Sequence, residues 1–545
     1  MTRQNHLTLF AFALFFMLCI ASLQIGNPLS LSHQWQLIIG KEAIDFDEFN
    51  FAFGLLPRLV MAILVGSMLG LVGSLMQQLT QNNLTSPLTL GTSSGAWLAL
   101  IVLNVVWPDL AGDFKAVAAM SGAMLAMILV ISIAGFKNIT GLPLILSGMV
   151  VNILLGAIAT AIILLNDQYA QNVFIWGAGD LAQNGWEQVL WLLPRISVAA
   201  LLLIFAPRIL TLMRLGQQGA AARGLNVIPM FALLIFIGLW VVSASITTVG
   251  VISFIGLLSP NIARALGART PRAELLTSML IGSLALITTD ILAKSLSIWT
   301  VNLVPSGTAA AAIGAPALVW FSRRALKAQD QLSFKLPPSR DFLSPYAYPV
   351  LILGIIVMLV ASACLTMTQT GFEFALPDSF NWDLRWPRFL TALFAGIALA
   401  MAGTILQRLI YNPLASPDIL GISAGASFAL VGASVFFGLN IFGSGALVAF
   451  AGSLLVLMLL LVLGRKTQFA PGSLILIGIA LSALIESLVQ FALAQNSQDS
   501  YMIINWLAGS TYRVSENSAL LLSLSTLILG GLAIRLSRWL SLISA

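Results

Sequence analysis

Asp290 and Lys294 stand four residues apart in an otherwise apolar run. That spacing sets an acid and a base on one face of a helix, where they pair. Arg58 follows Pro57, Arg388 follows Pro387, and Glu486 sits alone in the apolar run from Leu474 to Leu493. Residues of these types pair charges, anchor helix ends or attract an acidic partner, and they do not form a catalytic constellation. No Gly-rich phosphate loop ending in Lys-Ser or Lys-Thr is present, the two histidines are His6 and His33, and no Cys or His cluster has metal-ligand spacing. Cys19 and Cys364 lie in separate apolar runs, which favours packing over a disulfide or metal site. No directly bound cofactor is expected, and the energy source for any driven process must lie elsewhere.

The elements that hold these residues are membrane helices. Hydrophobic residues make up 59% of the chain and charged residues 8%, whereas soluble domains carry roughly 25% charged residues. We count roughly sixteen apolar stretches of spanning length, from Leu7–Leu23 to Ala519–Ile534. The first follows Arg3 but lacks a small-residue cleavage pattern before Gln24, so it reads as a retained helix and not a signal peptide. The net charge of +6 is spread over helix ends, which excludes a nucleic-acid patch. With the N-terminus inside, Arg208, Arg214, Arg223, Arg264, Arg323, Arg465 and Arg535 share one side, and Glu42, Asp113, Asp180, Glu373 and Asp378 share the other. Short cytoplasmic loops are enriched in Lys and Arg, so the first side is assigned to the cytoplasm of a bacterial inner membrane.

The chain is written twice. LPRLVMAILVGSMLGLVGSLMQQLTQNNLTSPLTLGTSSGAW from Leu56 aligns without a gap to WPRFLTALFAGIALAMAGTILQRLIYNPLASPDILGISAGASF from Trp386. Arg58 and Arg388, Gly73 and Gly403, Gln77 and Gln407, Asn82 and Asn412, Leu84 and Leu414 all fall at an offset of 330 residues. The spacing predicts ten helices in residues 1–329, a polar cytoplasmic linker at 330–342, and about six helices in 343–545. Ala545 corresponds to Leu215, so the counterpart of 216 to about 324 is expected to be missing, through a truncated product or an incomplete sequence. The fold class is an all-α polytopic membrane protein whose two parallel halves are related by an axis along the membrane normal.

Three further features are open to a functional or a bland reading. The loop GQQGAAARGLNVI from Gly216 reads as helix, break, helix, with Gly224 and Asn226 able to end a helix in the left-handed conformation. It suits a motor-docking loop or an ordinary basic turn. Loops QNNLTSPLTLG and YNPLASPDILG can form an apolar constriction through Leu84 and Leu414, or simple turns fixed by Asn and Pro. Gln77, Gln407 and Glu486 are candidates for polar groups facing a cavity, whereas Gly66, Gly70, Gly91 and Gly95 read as close-packing contacts.

Taken together, LPRL and WPRF, the two SP-containing loops, GVISFIGLLSPNIARALGAR from Gly250 and GTAAAAIGAPALVWF from Gly307 resemble the FecCD family of ABC importer permeases. The chain is most similar to the branch in which two halves are fused and ferric hydroxamate siderophores are carried. The resemblance implies a ten-helix unit, cytoplasmic ATPase subunits that use ATP, and a periplasmic siderophore-binding protein. By position it implies a cytoplasmic gate at Asn82, Leu84, Asn412 and Leu414. It further implies ATPase coupling at Gly216, Ala220, Arg223, Gly224 and Asn226, and binding-protein docking at Arg58, Lys294 and Arg388. Asn226, Asn261 and Val304 depart from the family's usual Gly, His and Glu. Import of haem or cobalamin, and ion-coupled secondary transport, are the alternatives.

Overall fold

The computed structural model describes residues 2–83, 85–87, 89–135, 142–166, 177, 179–299, 304–325, 345–368, 371–410, 415–437, 441–465, 469, 471–494, 509–512 and 514–544. The linker expected at 330–342 lies outside them. In lipid a backbone can satisfy its polar groups only within its own helix or in a closed barrel, and the apolar runs accordingly become helices. These are α1 (Thr2–Gln24), α2 (Leu31–Ile39), α3 (Phe46–Phe49), α4 (Leu56–Thr80), α5 (Thr92–Val106), α6 (Ala111–Ala134) and α7 (Leu142–Leu165). They continue as α8 (Glu187–Ile196), α9 (Ala199–Met213), α10 (Gly216–Ala222), α11 (Val227–Val249), α12 (Ile255–Ala265), α13 (Pro271–Trp299) and α14 (Ser306–Ala325). The second half supplies α15 (Ala347–Cys364), α16 (Ser379–Ile410), α17 (Ile422–Phe437), α18 (Ile441–Arg465), α19 (Pro471–Ala494) and α20 (Glu516–Ser544). Among the described residues 10 helices are long and apolar enough to cross a membrane, and shorter apolar helices accompany them.

Two details go beyond the sequence pattern. The helix expected near 187–207 is interrupted by a turn at Ser197 and Val198, where the Ala200 and Leu201 amides bond three residues back, to the Ser197 and Val198 carbonyls, each at 3.0 Å. Strands Leu365–Thr368 and Gly371–Phe374 form an antiparallel pair. Arg385 ties that pair to α16, donating to the Ala363 carbonyl at 2.5 Å and the Thr366 hydroxyl at 2.7 Å.

Contacts divide the chain into two compact units, Met1–Ser322 with Ala424–Gly452 and Ala480–Ile504, and Arg323–Ser423 with Ser453–Ile479 and Asn505–Ala545. In the first, α4 is the centre, enclosed by α11, α12 and α13. In the second, α16 packs on α15 and α20. The sequence repeat is also a repeat of contacts. A side-chain carbon at Gly148 would stand 2.6 Å from the Thr89 carbonyl oxygen, and one at Gly478 would stand 2.5 Å from that of Ile419.

α4 and α13 run antiparallel with no room between them. A side-chain carbon at Gly66 would lie 2.5 Å from the Gly282 carbonyl oxygen, and one at Gly70 would lie 2.0 Å from that of Ser278. Arg58 meets Asp290 and Ser74 meets Glu274 on the same line, so four-residue steps along one helix match four-residue steps along the other. That is packing of i±4 ridges, and small residues let the backbones touch. Gly73 faces Gly256 of α12 just as closely, at 1.8 Å. Gly73→Val should therefore abolish folded protein in the membrane, whereas Gly156→Val, where nothing lies within 4 Å, should leave it intact. Equal yields of the two variants by size-exclusion chromatography in detergent would contradict this packing.

Candidate functional site

Charge collects at both ends of the α4–α13 pair. At one end Asp290 is fully buried at 0% exposure. Its Oδ1 accepts from Arg58 Nε at 2.9 Å and from the Ser306 hydroxyl at 2.8 Å, and it lies 2.8 Å from Arg58 Nη2. Its Oδ2 lies 3.3 Å from Lys294 Nζ. Lys294 also donates to the Ser22 carbonyl and hydroxyl oxygens, each at 3.1 Å, tying α1 to the cluster. Asp180 stands 4.0 Å from Arg58 at the rim. The helical pairing expected of Asp290 and Lys294 is present, but Arg58 completes it from another helix. A cleft of about 210 Å³ opens beside them, lined in part by Arg58, Asp180, Lys294 and Val304.

At the other end Glu274, 1% exposed, lies in the first turn of α13, where a helix N-terminus favours negative charge. Its Oε1 is 2.6 Å from Arg264 Nη1 and its Oε2 is 3.3 Å from Arg214 Nη2. Arg264 also donates through Nη2 to Gln77 Oε1 at 2.5 Å and to Asn261 Oδ1 at 2.8 Å. Gln77 donates to the Leu257 carbonyl at 3.1 Å, and Asn261 donates to the Asn83 carbonyl at 3.2 Å. From Arg58 to Gln77, α4 spans roughly 28 Å, close to the roughly 30 Å of a hydrocarbon core. The two clusters thus have the separation of the two faces of a bilayer.

The loop after α4 hangs from the second cluster. The Asn82 amide donates to the Gln77 carbonyl at 3.1 Å, and its carbonyl accepts from Thr85 at 3.3 Å. Leu84, Asn412 and Leu414 lie outside the described residues. The expected break in the 216–228 segment is real: α10 ends in Gly224 at φ +84, with Leu225 N–H bonded to the Ala220 carbonyl at 3.1 Å and Gly224 N–H to Ala221 at 2.9 Å. This is the double-bonded left-handed cap that glycine permits. Ala220 is buried, while Arg223, Gly224 and Asn226 are exposed and Gly216, at φ +80, opens the helix.

In the second half, Arg388 is half-buried with its guanidinium 4.4 Å from the centre of the Tyr512 ring. Gln407 and Glu486 are exposed on α16 and α19. The structure therefore brings Arg58 and Lys294 together, and places Gln77 in a charged network with no cavity role evident. Sequence reasoning passed over Glu274 and Ser306 and used Asp180, Arg214 and Arg264 only as topology markers. One acid among Arg264, Arg269 and Arg272 was the available signal.

These features define a multi-pass membrane protein built on a helical unit used twice. The chain belongs to the FecCD transport family, whose model matches residues 12–324 and 348–545. It is 32% identical over 525 residues to the iron(3+)-hydroxamate import system permease protein FhuB of Escherichia coli, covering 94% of this chain and 78% of that one. The Salmonella typhimurium protein of the same name is 33% identical, covering 99% of this chain and 79% of that one. The Fe(3+) dicitrate transport system permease protein FecC of Escherichia coli is 32% identical over 49% of this chain and 81% of its own length.

Asp290→Asn would leave two buried cations with no anion between them. Removing one partner of a buried pair costs about 3–5 kcal/mol, so the thermal-unfolding midpoint of the purified chain should fall well below that of Asp180→Asn, whose carboxylate is at the rim. A midpoint for Asp290→Asn equal to that of the unaltered chain would contradict the assignment.

Proposed function

We propose that the chain is the membrane permease of an ABC importer, receiving ferric hydroxamate siderophores from a periplasmic binding protein and releasing them in the cytoplasm. Separate ATPase subunits use the ATP, and the permease itself binds no cofactor. The observation that carries this reading is similarity to two iron(3+)-hydroxamate import permeases over 94% and 99% of the chain. Relatives named for Fe(3+) dicitrate and vitamin B12 match 49% of it. Buried carboxylates already neutralised by neighbouring cations suit a structural role in a conduit whose energy enters from elsewhere.

In this reading the chain lies in a bacterial inner membrane with its N-terminus inside. Residues 1–329 form one half, 330–342 a cytoplasmic linker and 343–545 the second half. The Asp290 end then faces the periplasm. Arg58, Lys294 and Arg388 receive acidic groups of the binding protein, and the cleft at Arg58 and Lys294 gives one such group a seat. The Glu274 end faces the cytoplasm. There α10 offers Arg223, Gly224 and Asn226 to an ATPase, and Asn82 and Leu84 with Asn412 and Leu414 close the path. Gln407 and Glu486 supply polar groups to a cavity in the second half.

Two measurements test this. Vesicles carrying the permease, its ATPase and its binding protein should accumulate ferric hydroxamate and neither haem nor cobalamin; the reverse preference would sink the substrate assignment. Arg388, which pairs with no buried carboxylate among the described residues, allows docking to be tested without disturbing either ion cluster. Arg388→Glu should weaken binding-protein association most at low salt, with the difference shrinking as ions screen the contact. Association unchanged at every salt concentration would remove Arg388 from the docking surface.

A further inference from the structure

Two segments that the proposed function treats as separate devices, the exposed helix α10 and the loop after α4, are joined by one buried carboxylate. Arg214 caps α9 immediately before α10. One of its amino groups donates to the Arg269 carbonyl at 2.7 Å, and the other donates to Gln78 Oε1 and to Glu274 Oε2, each at 3.3 Å. Glu274 passes the connection through its other oxygen to Arg264. Arg264 divides it between Gln77, whose carbonyl holds the Asn82 amide, and Asn261, whose side chain holds the Asn83 carbonyl. Every step from Arg214 to the loop is a hydrogen bond or an ion pair.

A second tether runs beside the first. Gln81, at the C-terminal end of α4, has φ +54. A non-glycine residue in the left-handed region is strained and is held there by its surroundings. The Gln81 side chain donates to the Met213 carbonyl, the last residue of α9. The chain therefore leaves α4 in a strained turn that is pinned from the segment leading into α10. Moving Arg214 and Met213 together would strip one cation from a buried carboxylate and free the strained turn at the same moment. Neither change is gradual: a buried carboxylate tolerates loss of a cation poorly, and packed contacts switch between discrete arrangements.

We propose that Glu274 is a positioning residue that links α10 to the turn at Asn82 and Asn83 that follows α4, so that movement imposed on α10 changes the conformation of that turn. The proposal rests on the reading of α10 as an ATPase contact and of the loop as a gate. It adds the connection between them and the residues that make it. Glu274 touches neither ATPase nor cargo in this account, and its effect is on how tightly hydrolysis and transport are coupled.

The test uses the full chain reconstituted in vesicles with its ATPase and binding protein, reading ATP hydrolysed, cargo moved and ATPase retained on the purified permease. Glu274→Gln keeps the shape and removes the charge. Arg214→Gln breaks the same link from its half-exposed side and disturbs the core least, so it carries the test if Glu274→Gln does not fold. In both, ATPase retention should be unchanged while cargo moved per ATP falls about tenfold, within the range of a site-to-site coupling energy. Arg223→Glu, on the exposed face of α10, should instead lose the ATPase itself. If Arg223→Glu loses the ATPase but the two network variants keep the normal ratio of cargo to ATP, the linkage is wrong and the proposed function stands. A parallel fall of transport and hydrolysis in the network variants likewise overturns the linkage. If Arg223→Glu keeps the ATPase, the reading of α10 fails, and the linkage with it.

Discussion

A charge that cannot reach water must be matched where it stands, and that requirement organises the first half of this protein. Helix α13 carries a carboxylate near each end, Glu274 and Asp290, both essentially inaccessible. Each is held by two cations, and at least one of them comes from a different helix: Arg214 and Arg264 for Glu274, Arg58 and Lys294 for Asp290. Desolvating such groups is expensive, so these pairs add little net stability compared with an apolar core. What they contribute is register. A slip of α4 along α13 would separate Arg58 from Asp290 and drive Gly66 and Gly70 out of contact with Gly282 and Ser278.

The resulting pair of helices has its backbones in contact along a seam of membrane thickness, and segments bounded by glycine or left-handed turns lie at one end of it. α10 is mostly exposed and is bounded by Gly216 and Gly224, both with positive φ. The loop after α4 begins in the strained Gln81 turn. Elements drawn from the less stable part of a fold are the ones that move in function, and here they sit on the same side of the membrane. Their placement ties sequence to function through packing: glycines set the seam, the seam sets the two ends, and the ends hold the groups proposed to meet partners.

Much of this was legible in the amino-acid sequence. Apolar run length gave the helices, and the 330-residue offset predicted a repeat that reappears as matching backbone contacts at Gly148 and Gly478. Gly224 marked the end of α10 because glycine takes a left-handed cap without steric cost, whereas Asn226, offered beside it, is the N-cap of α11 at φ −73. The partners of Arg58 and Gln77 were not legible, since an arginine after a proline reads equally well as a free anchor, and nothing local shows that Asp290 stands opposite. Glu274 was hidden among basic residues that the topology argument had already claimed. Antiparallel register between helices far apart in sequence is a tertiary property, and no local spacing encodes it. The turn at Ser197 and Val198 was not legible, because apolar residues resume directly after it.

The central proposal is that this permease is worked from the Glu274 end by a separate ATPase. Uptake of ferric hydroxamate into vesicles holding the permease, its ATPase and the binding protein decides it when nucleotide and proton gradient are varied separately. The account predicts uptake that requires ATP and survives collapse of the gradient. Uptake that continues without nucleotide and stops when the gradient is dissipated would contradict it and identify an ion-coupled transporter.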